Sequence, residues 1–360
     1  MSVFPVTANP SPRPAQERAA ILAEPGFGQH FTDHMFVATW TEGSGWHDAG
    51  VVPYGPFSLD PAAAVLHYAQ EVFEGLKAYH RPDGTVWAFR PDANAERMVR
   101  SAKRLALPHV PPQMFLDGIC ALVAADKAWV PTAPETSLYL RPFMFASEAF
   151  LGVRPASEVT FAVIASPAGA YFPGGVKPVS LWLSQDYVRA APGGTGAAKC
   201  GGNYAASLAP MMEASEHHCD QVVFLDAREN RYVEELGGMN LFFVYRDGTV
   251  VTPRLTGTIL EGVTRDAILT LLREEGRDVV EADIGIDQWR AGAASGDLTE
   301  VFACGTAAVV TPVSTLVEPD AKHVVGDGQV GPVTTAVRQT LTGIQYGTLA
   351  DPYGWTRLIA

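Results

Sequence analysis

The sequence predicts a protein of two domains that combine α-helices with β-sheets, in an α/β or α+β fold. Its 360 residues correspond to about two domains of ordinary size. Apolar runs typical of strands alternate with segments of helical spacing, above all in the second half. Between the halves lies the segment 167–175, PAGAYFPGG, whose glycines and prolines indicate a domain boundary around 172–186.

The first half is predicted to start as irregular chain and to continue as a mixture of helices and strands. Residues 1 to about 30 look irregular, and helical spacing appears in the middle of 61–76. Pro82-Asp83-Gly84 predicts a hairpin over 78–89, because these residues favour a tight turn. Apolar periodicity predicts two helices, at 93–105 and 112–130, and two buried strands, at 137–146 and 160–166.

The second half is predicted to alternate between strands and helices. Asp247-Gly248 marks the turn of a hairpin over 241–253. Helical spacing predicts helices at 204–214 and 262–275, and short apolar runs predict strands at 179–184, 221–225, 300–303 and 307–313. This order favours sheets flanked by helices.

Composition and charge narrow the class of protein. The chain is 47% hydrophobic and 18% charged, which is typical of a globular protein with a sizeable core. A net charge of −13 argues against nucleic acid or an anionic membrane as a partner. No segment has the pattern of a signal peptide or a membrane span, so we expect a cytoplasmic location. No pair of its 4 cysteines has CxxC spacing, and we expect no metal site.

The segment 193–204, GGTGAAKCGGNY, carries the strongest chemical signal. Lys199 lies among small residues, and Tyr204 follows five positions later. A lysine forms a reversible imine with an aldehyde cofactor such as pyridoxal phosphate, and small neighbours let a flat ring approach the backbone. A Walker loop is excluded because Ala198 and Cys200 flank the lysine in place of the required Gly and Ser or Thr. A dinucleotide-binding fingerprint is excluded because its third glycine is missing here. A solvated lysine on a flexible loop is the alternative.

A pyridoxal phosphate site also needs an acid for the ring nitrogen, a donor for the ring oxygen and a phosphate-binding turn. Glu235 is a candidate for the acid, although Glu234 and Glu235 could be exposed turn residues. Tyr204 is a candidate for the donor, or an ordinary structural tyrosine. Phosphate could bind at the glycine-led helix start with Val263 and Thr264, or at a turn with Thr306, each of which could equally be plain structure.

Jointly and in this order, the motifs resemble the branched-chain amino acid aminotransferases of fold type IV, from about Gly26 to Trp355. The stretches that carry the resemblance are 31–35 (FTDHM), 68–78 (YAQEVFEGLKA), 89–91 (FRP) with Arg97, 137–142 (SLYLRP), 169–175 (GAYFPGG), 199–204 (KCGGNY), 235–240 (ELGGMN) and 301–307 (VFACGTA).

The resemblance implies a role for each matching residue. Lys199 would be the Schiff-base lysine and Glu235 the acid at the ring nitrogen. The other cofactor contacts would be made by Arg97, Tyr204, Val263, Thr264 and Thr306. An aromatic and apolar pocket would surround the substrate side chain, formed by Phe31, Tyr68, Phe73, Tyr171 and Met239. Tyr139 and Arg141 would form a polar wall, and Ala307 would supply a turn amide. Leu151 and Val153 would belong to a loop lent by a partner subunit.

The chain departs from the family pattern at two places. Gly238 stands where many relatives carry Thr, so a hydroxyl near the substrate is missing and the pocket is roomier. The segment 305–311, GTAAVVT, lacks the CxxC that some members use as a redox switch, and we expect no thiol regulation by that route.

The implied protein is a homodimer whose subunits have a smaller N-terminal α/β domain at 1–172, a linker at 173–185 and a larger C-terminal domain at 186–360 that carries the lysine. The implied reaction transfers an amino group between leucine, isoleucine or valine and 2-oxoglutarate, through pyridoxamine phosphate and with ping-pong kinetics. The nearest alternatives are a D-amino acid aminotransferase and an aminodeoxychorismate lyase. A non-catalytic protein that kept the fold is the alternative from another class.

Overall fold

A computed structural model of the chain describes residues 4–169 and 176–360. The chain divides into two compact units. The first comprises Met1–Tyr171, Ala198–Gly201 and Gly343–Ala360, and the second comprises Phe172–Ala197 and Gly202–Thr342. The division differs from the expected boundaries, because the short segment with Lys199 and the C-terminal segment both group with the first unit.

The strands follow one another as β1 (His34–Thr41), β2 (Gly45–Pro53), β3 (Glu71–Phe73), β4 (Leu76–His80), β5 (Val86–Phe89), β6 (Ser137–Ala146), β7 (Glu158–Ala168), β8 (Val179–Leu183), β9 (Gln221–Leu225), β10 (Val233–Leu236), β11 (Asn240–Tyr245), β12 (Val250–Pro253), β13 (Val279–Ala282), β14 (Leu298–Gly305), β15 (Val309–Glu318), β16 (Ala321–Val324) and β17 (Thr356–Leu358). The helices are α1 (Ala15–Ala23), α2 (Ala64–Tyr68), α3 (Pro91–Arg104), α4 (Pro112–Ala125), α5 (Gly201–Ala205), α6 (Leu208–Glu216), α7 (Val263–Glu274), α8 (Ile286–Ser295) and α9 (Pro332–Tyr346).

The first unit contains an antiparallel sheet in the order β17-β5-β4-β6-β7-β1-β2, with β3 paired to β6. Helix α4 packs on β1, β2 and β7, and α3 packs on α4. The core between them includes Phe36, Phe115, Ile119 and Phe161, which are all fully buried or nearly so. Strands β3, β4 and β6 therefore give the site residues of this unit a rigid support.

The second unit contains a mixed sheet in the order β10-β9-β8-β15-β14-β11-β12-β13, with β16 paired to β15. Helices α7 and α8 pack on β14, whereas α6 packs on β8 and β9. One of its cores is built around Phe243 and Trp289, whose rings meet edge to face at 4.9 Å. Mixed helices and sheets in two units agree with the predicted fold class.

Three expectations of local structure are wrong. The N-terminal segment is not wholly irregular, because the alanine-rich sequence of α1 favours a helix. The helix in 61–76 is limited to α2, since Ala69 takes a left-handed conformation with φ of 48°. The helix expected at 204–214 is two helices, α5 and α6. Pro210 fits only the first turn of a helix, so the second one starts anew at Leu208.

Within the described ranges, every helix is too short or too polar to cross a lipid bilayer. The same part of the chain holds no group of three or more His, Cys, Asp and Glu side chains arranged to bind a metal ion.

Candidate active site

Lys199 is anchored through its backbone in the first unit. Its N–H donates to Ser101 Oγ on α3 at 2.9 Å, and its carbonyl accepts from the N–H of Phe73 at 2.9 Å. The ammonium nitrogen lies 5.0 Å from the centre of the Phe73 ring. The lysine predicted from sequence is therefore held between α3 and β3 rather than carried on a loose loop.

The surroundings of Lys199 make its amine unusually acidic. The pKa of this amine is lowered to about 8, chiefly by burial and in addition by the charges of Arg97 and Arg141, against the opposing effect of Glu74. Compared with an ordinary lysine at 10.5, this shift increases the neutral fraction at pH 7 by about 300-fold. A neutral amine is the form that attacks an aldehyde or accepts a proton.

Arg97, predicted as a phosphate ligand, is held by a buried carboxylate that the sequence motifs did not single out. Arg97 Nε and Nη2 each lie 2.8 Å from an oxygen of Glu74, and Asn94 donates to the same carboxylate at 2.7 Å. Burial works against the ionised form of Glu74, but Arg97 and Lys199 outweigh it and the pKa is lowered. This two-pronged pair fixes the orientation of the guanidinium.

Tyr139 and Arg141, predicted as the polar wall, lie side by side on β6. Arg141 Nη2 donates to Tyr139 Oη at 3.0 Å, and the guanidinium carbon lies 4.7 Å from the centre of the Phe73 ring. Gly75 makes room for Tyr139, since a Cβ there would lie 2.9 Å from Tyr139 Cζ. Arg141 Nε is buried without a hydrogen-bond partner among the described residues.

The polar pair opens onto a cavity of about 260 Å³ in the first unit. Its walls combine aromatic, small and polar residues, namely Phe27, Gly28, Phe31, Tyr139, Arg141, Ile164, Ala165 and Ser166. Phe31 stacks on Tyr54 with ring centres 5.1 Å apart. Two larger cavities, in the second unit, are lined by none of the predicted site residues that the structure describes.

Three other predicted substrate contacts lie on an exposed surface of the first unit. The Tyr68 hydroxyl donates to the carbonyl of Leu151. The exposed fractions of Tyr68, Leu151 and Val153 are 38%, 65% and 89%. These residues form a surface group apart from the lining of the cavity. Tyr171, the remaining predicted contact on this side, lies outside the described residues.

Glu235 lies on β10 in the second unit and is not an exposed turn residue. Its side chain is 2% exposed, and Arg189 Nη1 lies 2.8 Å from its Oε1. The backbone N–H of Leu260 also donates to Oε1 at 2.8 Å, and Asn240 Nδ2 donates to Oε2 at 3.4 Å. Sequence reasoning missed Arg189, which has no motif of its own and lies far from Glu235 along the chain.

The predicted phosphate-binding helix start is present. Helix α7 begins at Val263 after the cap residue Gly262, and Thr264 is buried in its first turn. A Cβ at Gly262 would lie 3.1 Å from Arg265 Cβ and would overlap the side-chain oxygen of Asn240. Only glycine fits there, and the backbone N–H groups that follow it are suited to bind an anion.

The remaining predicted residues of the second unit form two turns and a short helix. Tyr204 lies in α5, and a Cβ at Gly238 would be 3.4 Å from its ring. Thr306 and Ala307 follow the end of β14 in a turn. Met239 packs against this turn, since its Cγ is 3.2 Å from where a Cβ of Gly305 would be. The structure thus brings the Gly238–Met239 turn close to the end of β14.

Comparison with known proteins identifies the family. The sequence pattern of amino-transferase class IV matches residues 71–316. The chain belongs to this family. The resemblance found in the sequence is confirmed, and so is the fold class.

Several named relatives are similar to this chain over nearly its whole length. It is 58% identical to a probable branched-chain-amino-acid aminotransferase of Streptomyces coelicolor, over 100% of both chains. It is 57% identical to the branched-chain-amino-acid aminotransferase of Mycolicibacterium smegmatis, over 98% of this chain and 97% of the relative. The crystal structure of the Escherichia coli branched-chain amino acid aminotransferase superposes with a TM-score of 0.75 at 30% identity, covering 90% of this chain and 99% of that one. The T.th. branched-chain amino acid aminotransferase with pyridoxamine 5'-phosphate also has a TM-score of 0.75, at 30% identity over 90% and 98%.

Proposed function

We propose that this chain catalyses reversible transfer of an amino group between leucine, isoleucine or valine and 2-oxoglutarate, with pyridoxal phosphate as cofactor. Relatives of 45% to 58% identity are branched-chain aminotransferases by name. The observation that carries the chemistry is the Lys199 amine, with its pKa near 8, next to Phe73 and Arg141. An amine of this kind can be exchanged for a substrate amine and can then move protons.

The residues present fit pyridoxal phosphate. Bound, the cofactor supplies an aldehyde for amine exchange and a ring that accepts electrons from Cα of the amino acid. Lys199 would bind it covalently, and the ionised carboxylate of Glu235 would hold the proton on the ring nitrogen. Tyr204 would contact the ring oxygen, while the phosphate would be bound by Arg97, Val263, Thr264 and Thr306.

Lys199 would also move the substrate proton. In its neutral form, Lys199 Nζ would take the proton from Cα of the bound amino acid and would give it back later in the transfer. Release of the branched 2-oxo acid, whose new carbonyl oxygen would come from water, would end the first half-reaction, and 2-oxoglutarate would enter the second. The two substrates therefore react in turn, with ping-pong kinetics.

One pocket would have to accept both an apolar side chain and a carboxylate. Burial of a leucine side chain against rings such as Phe31 and Phe73 contributes about 2 kcal/mol. The side-chain carboxylate of glutamate or 2-oxoglutarate would bind Arg141, with Tyr139 as its neighbour, through a charge-assisted hydrogen bond. Met239, Gly238 and Ala307 would also contact the substrate.

The surface group of Tyr68, Leu151 and Val153 supports a homodimer. Large apolar side chains as exposed as Leu151 and Val153 gain stability when a partner covers them. In the proposed dimer, this loop reaches the substrate of the other subunit. Sedimentation at micromolar concentration should give twice the mass of one chain, and Val153→Asp should shift the protein toward monomer.

We also propose a reducing compartment such as the cytoplasm. All four cysteines, Cys120, Cys200, Cys219 and Cys304, are free thiols in the structure, as is usual for proteins of reducing compartments.

The absorption spectrum of the purified protein tests the proposed function. A yellow band that bleaches on addition of L-leucine is expected for the wild type, and Lys199→Ala should fold but not turn over. A spectrum that responds to D-alanine and not to L-leucine would instead identify a D-amino acid aminotransferase. Full activity of Lys199→Ala would contradict the proposal.

Replacement of Arg141 tests how the pocket selects its substrates. Arg141→Ala should raise KM for glutamate and 2-oxoglutarate much more than KM for leucine, because only the first two carry a side-chain carboxylate. Steady-state kinetics with each substrate varied in turn measures the difference. Equal effects on all three would remove Arg141 from this role.

A further inference from the structure

Arg189 is a buried arginine that no sequence motif singled out, and it is paired with Glu235. Its Nη1 lies 2.8 Å from Glu235 Oε1, and the exposed fractions of the two side chains are 1% and 2%. A carboxylate so deeply buried keeps its charge only where a positive charge or several donors compensate the lost hydration. Arg189 places such a positive charge within hydrogen-bonding distance of the Glu235 carboxylate.

The same guanidinium nitrogen connects Glu235 to two neighbouring segments of the second unit. Arg189 Nη1 donates to the carbonyl of Thr258 at 3.0 Å and faces that of Gly196 at 3.4 Å. The two segments touch at Gly196, where a Cβ would lie 2.6 Å from the Thr258 carbonyl carbon. One segment continues along the chain to Lys199 and the other continues to α7. Arg189 thus holds Glu235 in a fixed position relative to the segments that contain Gly196 and Thr258.

Two neutral donors also orient the Glu235 carboxylate. Oε1 accepts the N–H of Leu260 at 2.8 Å, and Oε2 accepts Asn240 Nδ2 at 3.4 Å. Asn240 Nδ2 in turn donates to the Leu260 carbonyl at 3.0 Å. These two donors are neutral, whereas Arg189 brings a full positive charge to the carboxylate.

We propose that Arg189 is a positioning residue for transamination, which keeps Glu235 ionised and aimed at the ring nitrogen of bound pyridoxal phosphate. The inference rests on the role proposed above for Glu235. An ionised carboxylate accepts the N–H of a protonated pyridine, whereas a neutral carboxyl group cannot hold that proton in place. Loss of Arg189 therefore weakens the one contact that depends on the ring nitrogen.

The test compares two ligands that differ only at that nitrogen. Dissociation constants are measured by equilibrium dialysis of the full-length apoprotein with pyridoxal phosphate and with its 1-deaza analogue, in which a C–H replaces the ring nitrogen. The wild type should prefer pyridoxal phosphate by about tenfold or more, as expected for a charge-assisted hydrogen bond. Glu235→Gln should remove most of this preference, and Arg189→Met should do the same. Arg189→Lys keeps the positive charge on a shorter side chain, so its preference for pyridoxal phosphate should lie between those of the wild type and Arg189→Met.

Arg265→Met is the matched control, because Arg265 is also a buried arginine of this unit. Its Nη2 donates to the Pro253 carbonyl and to Glu281, each at 2.9 Å, so these two hydrogen bonds go to partners other than Glu235. General damage to the unit should weaken both ligands alike in this variant and leave their ratio unchanged.

The outcomes separate the inference from the function on which it rests. If Glu235→Gln keeps the wild-type preference, the proposed role of Glu235 is wrong. If Glu235→Gln loses the preference and Arg189→Met retains it, only the inference about Arg189 is overturned. Should Arg189→Met fail to fold, Arg189→Gln decides, because it also removes the charge and a wild-type ratio there would equally overturn the inference.

Discussion

The packing of Gly75 against Tyr139 leads to a prediction about substrate selection. A Cβ at position 75 would lie 2.9 Å from Tyr139 Cζ and closer still to the hydroxyl oxygen. Carbon atoms pack at about 3.5 to 4.0 Å, so Gly75→Ala must push the ring away by roughly 0.6 to 1.1 Å. The backbone of Gly75 needs no positive φ, and alanine is therefore excluded by this contact and not by backbone strain.

This displacement is large enough to break the polar pair. The bond from Arg141 to Tyr139 Oη is 3.0 Å long, and a shift of about 1 Å takes it beyond hydrogen-bonding distance. A hydrogen bond to a charged group contributes about 1.5 to 3 kcal/mol. Because about 1.4 kcal/mol is a factor of ten in rate, kcat/KM for 2-oxoglutarate should fall by about 10- to 100-fold. The value for leucine should change by less than about threefold.

Steady-state kinetics tests this prediction, because in a ping-pong reaction kcat/KM can be determined separately for each substrate. Gly55→Ala is the matched control, since a Cβ there would meet no atom within 4 Å. Tyr139→Phe should reproduce the selective loss without the added bulk. If Gly75→Ala lowers kcat/KM for leucine and 2-oxoglutarate by the same factor, the pair does not select the carboxylate and the reasoning is refuted.

Two further predictions concern the cofactor and acid stability. Gly262→Ala should weaken pyridoxal phosphate binding by about tenfold in a fluorescence titration, because its Cβ would displace Asn240; an unchanged dissociation constant would contradict this. Arg154 holds the pKa of Glu148 at about 2, compared with 4.5 for an ordinary glutamate. The contribution of the ionised Glu148 to the free energy of unfolding should be complete above about pH 4.5 and disappear as the pH falls toward 2. The free energy of unfolding of Glu148→Gln, measured against pH, should lack this contribution. Parallel pH curves for the wild type and the variant would contradict the prediction.

Local patterns were sufficient for much of the fold. The strands β6 and β9 are confirmed at the residues predicted, and the hairpin of β11 and β12 turns at Asp247-Gly248 as expected. In each case an apolar run of strand length ends at residues that favour turns, so the information is contained in neighbouring positions. Helices α3 and α7 were equally clear because their apolar residues recur at helical spacing.

Elements stabilised by distant partners were missed. Strand β1 lies between β2 and β7 and under α4, so its burial does not alternate and it shows no strand period. Helix α9 is rich in threonine and valine, which lower its helical propensity, although Val337, Leu341 and Ile344 are buried at helical spacing. Their burial, which only the tertiary structure provides, stabilises these elements.

The same limit applies to the site. Lys199, Arg97 and Glu235 could be singled out in advance, because the family resemblance assigns a role to each of them. Glu74 and Arg189 could not, since their effects come from pairing with residues 23 and 46 positions away. A buried charge needs a partner, but the sequence does not say which residue the fold brings to it.

Glu234 and Glu235 illustrate why neighbouring acids in a sequence are not equivalent. Successive side chains of a strand point to opposite faces, so on β10 the two carboxyl groups enter different surroundings although both are buried. Glu235 meets the Arg189 guanidinium, whereas Glu234 accepts a hydrogen bond from the Thr258 hydroxyl, and its other oxygen has no partner within the described residues. Burial raises the pKa of Glu234 and favours its neutral form. The two neighbouring acids therefore meet different partners, and the family resemblance, not the local sequence pattern, distinguished them in advance.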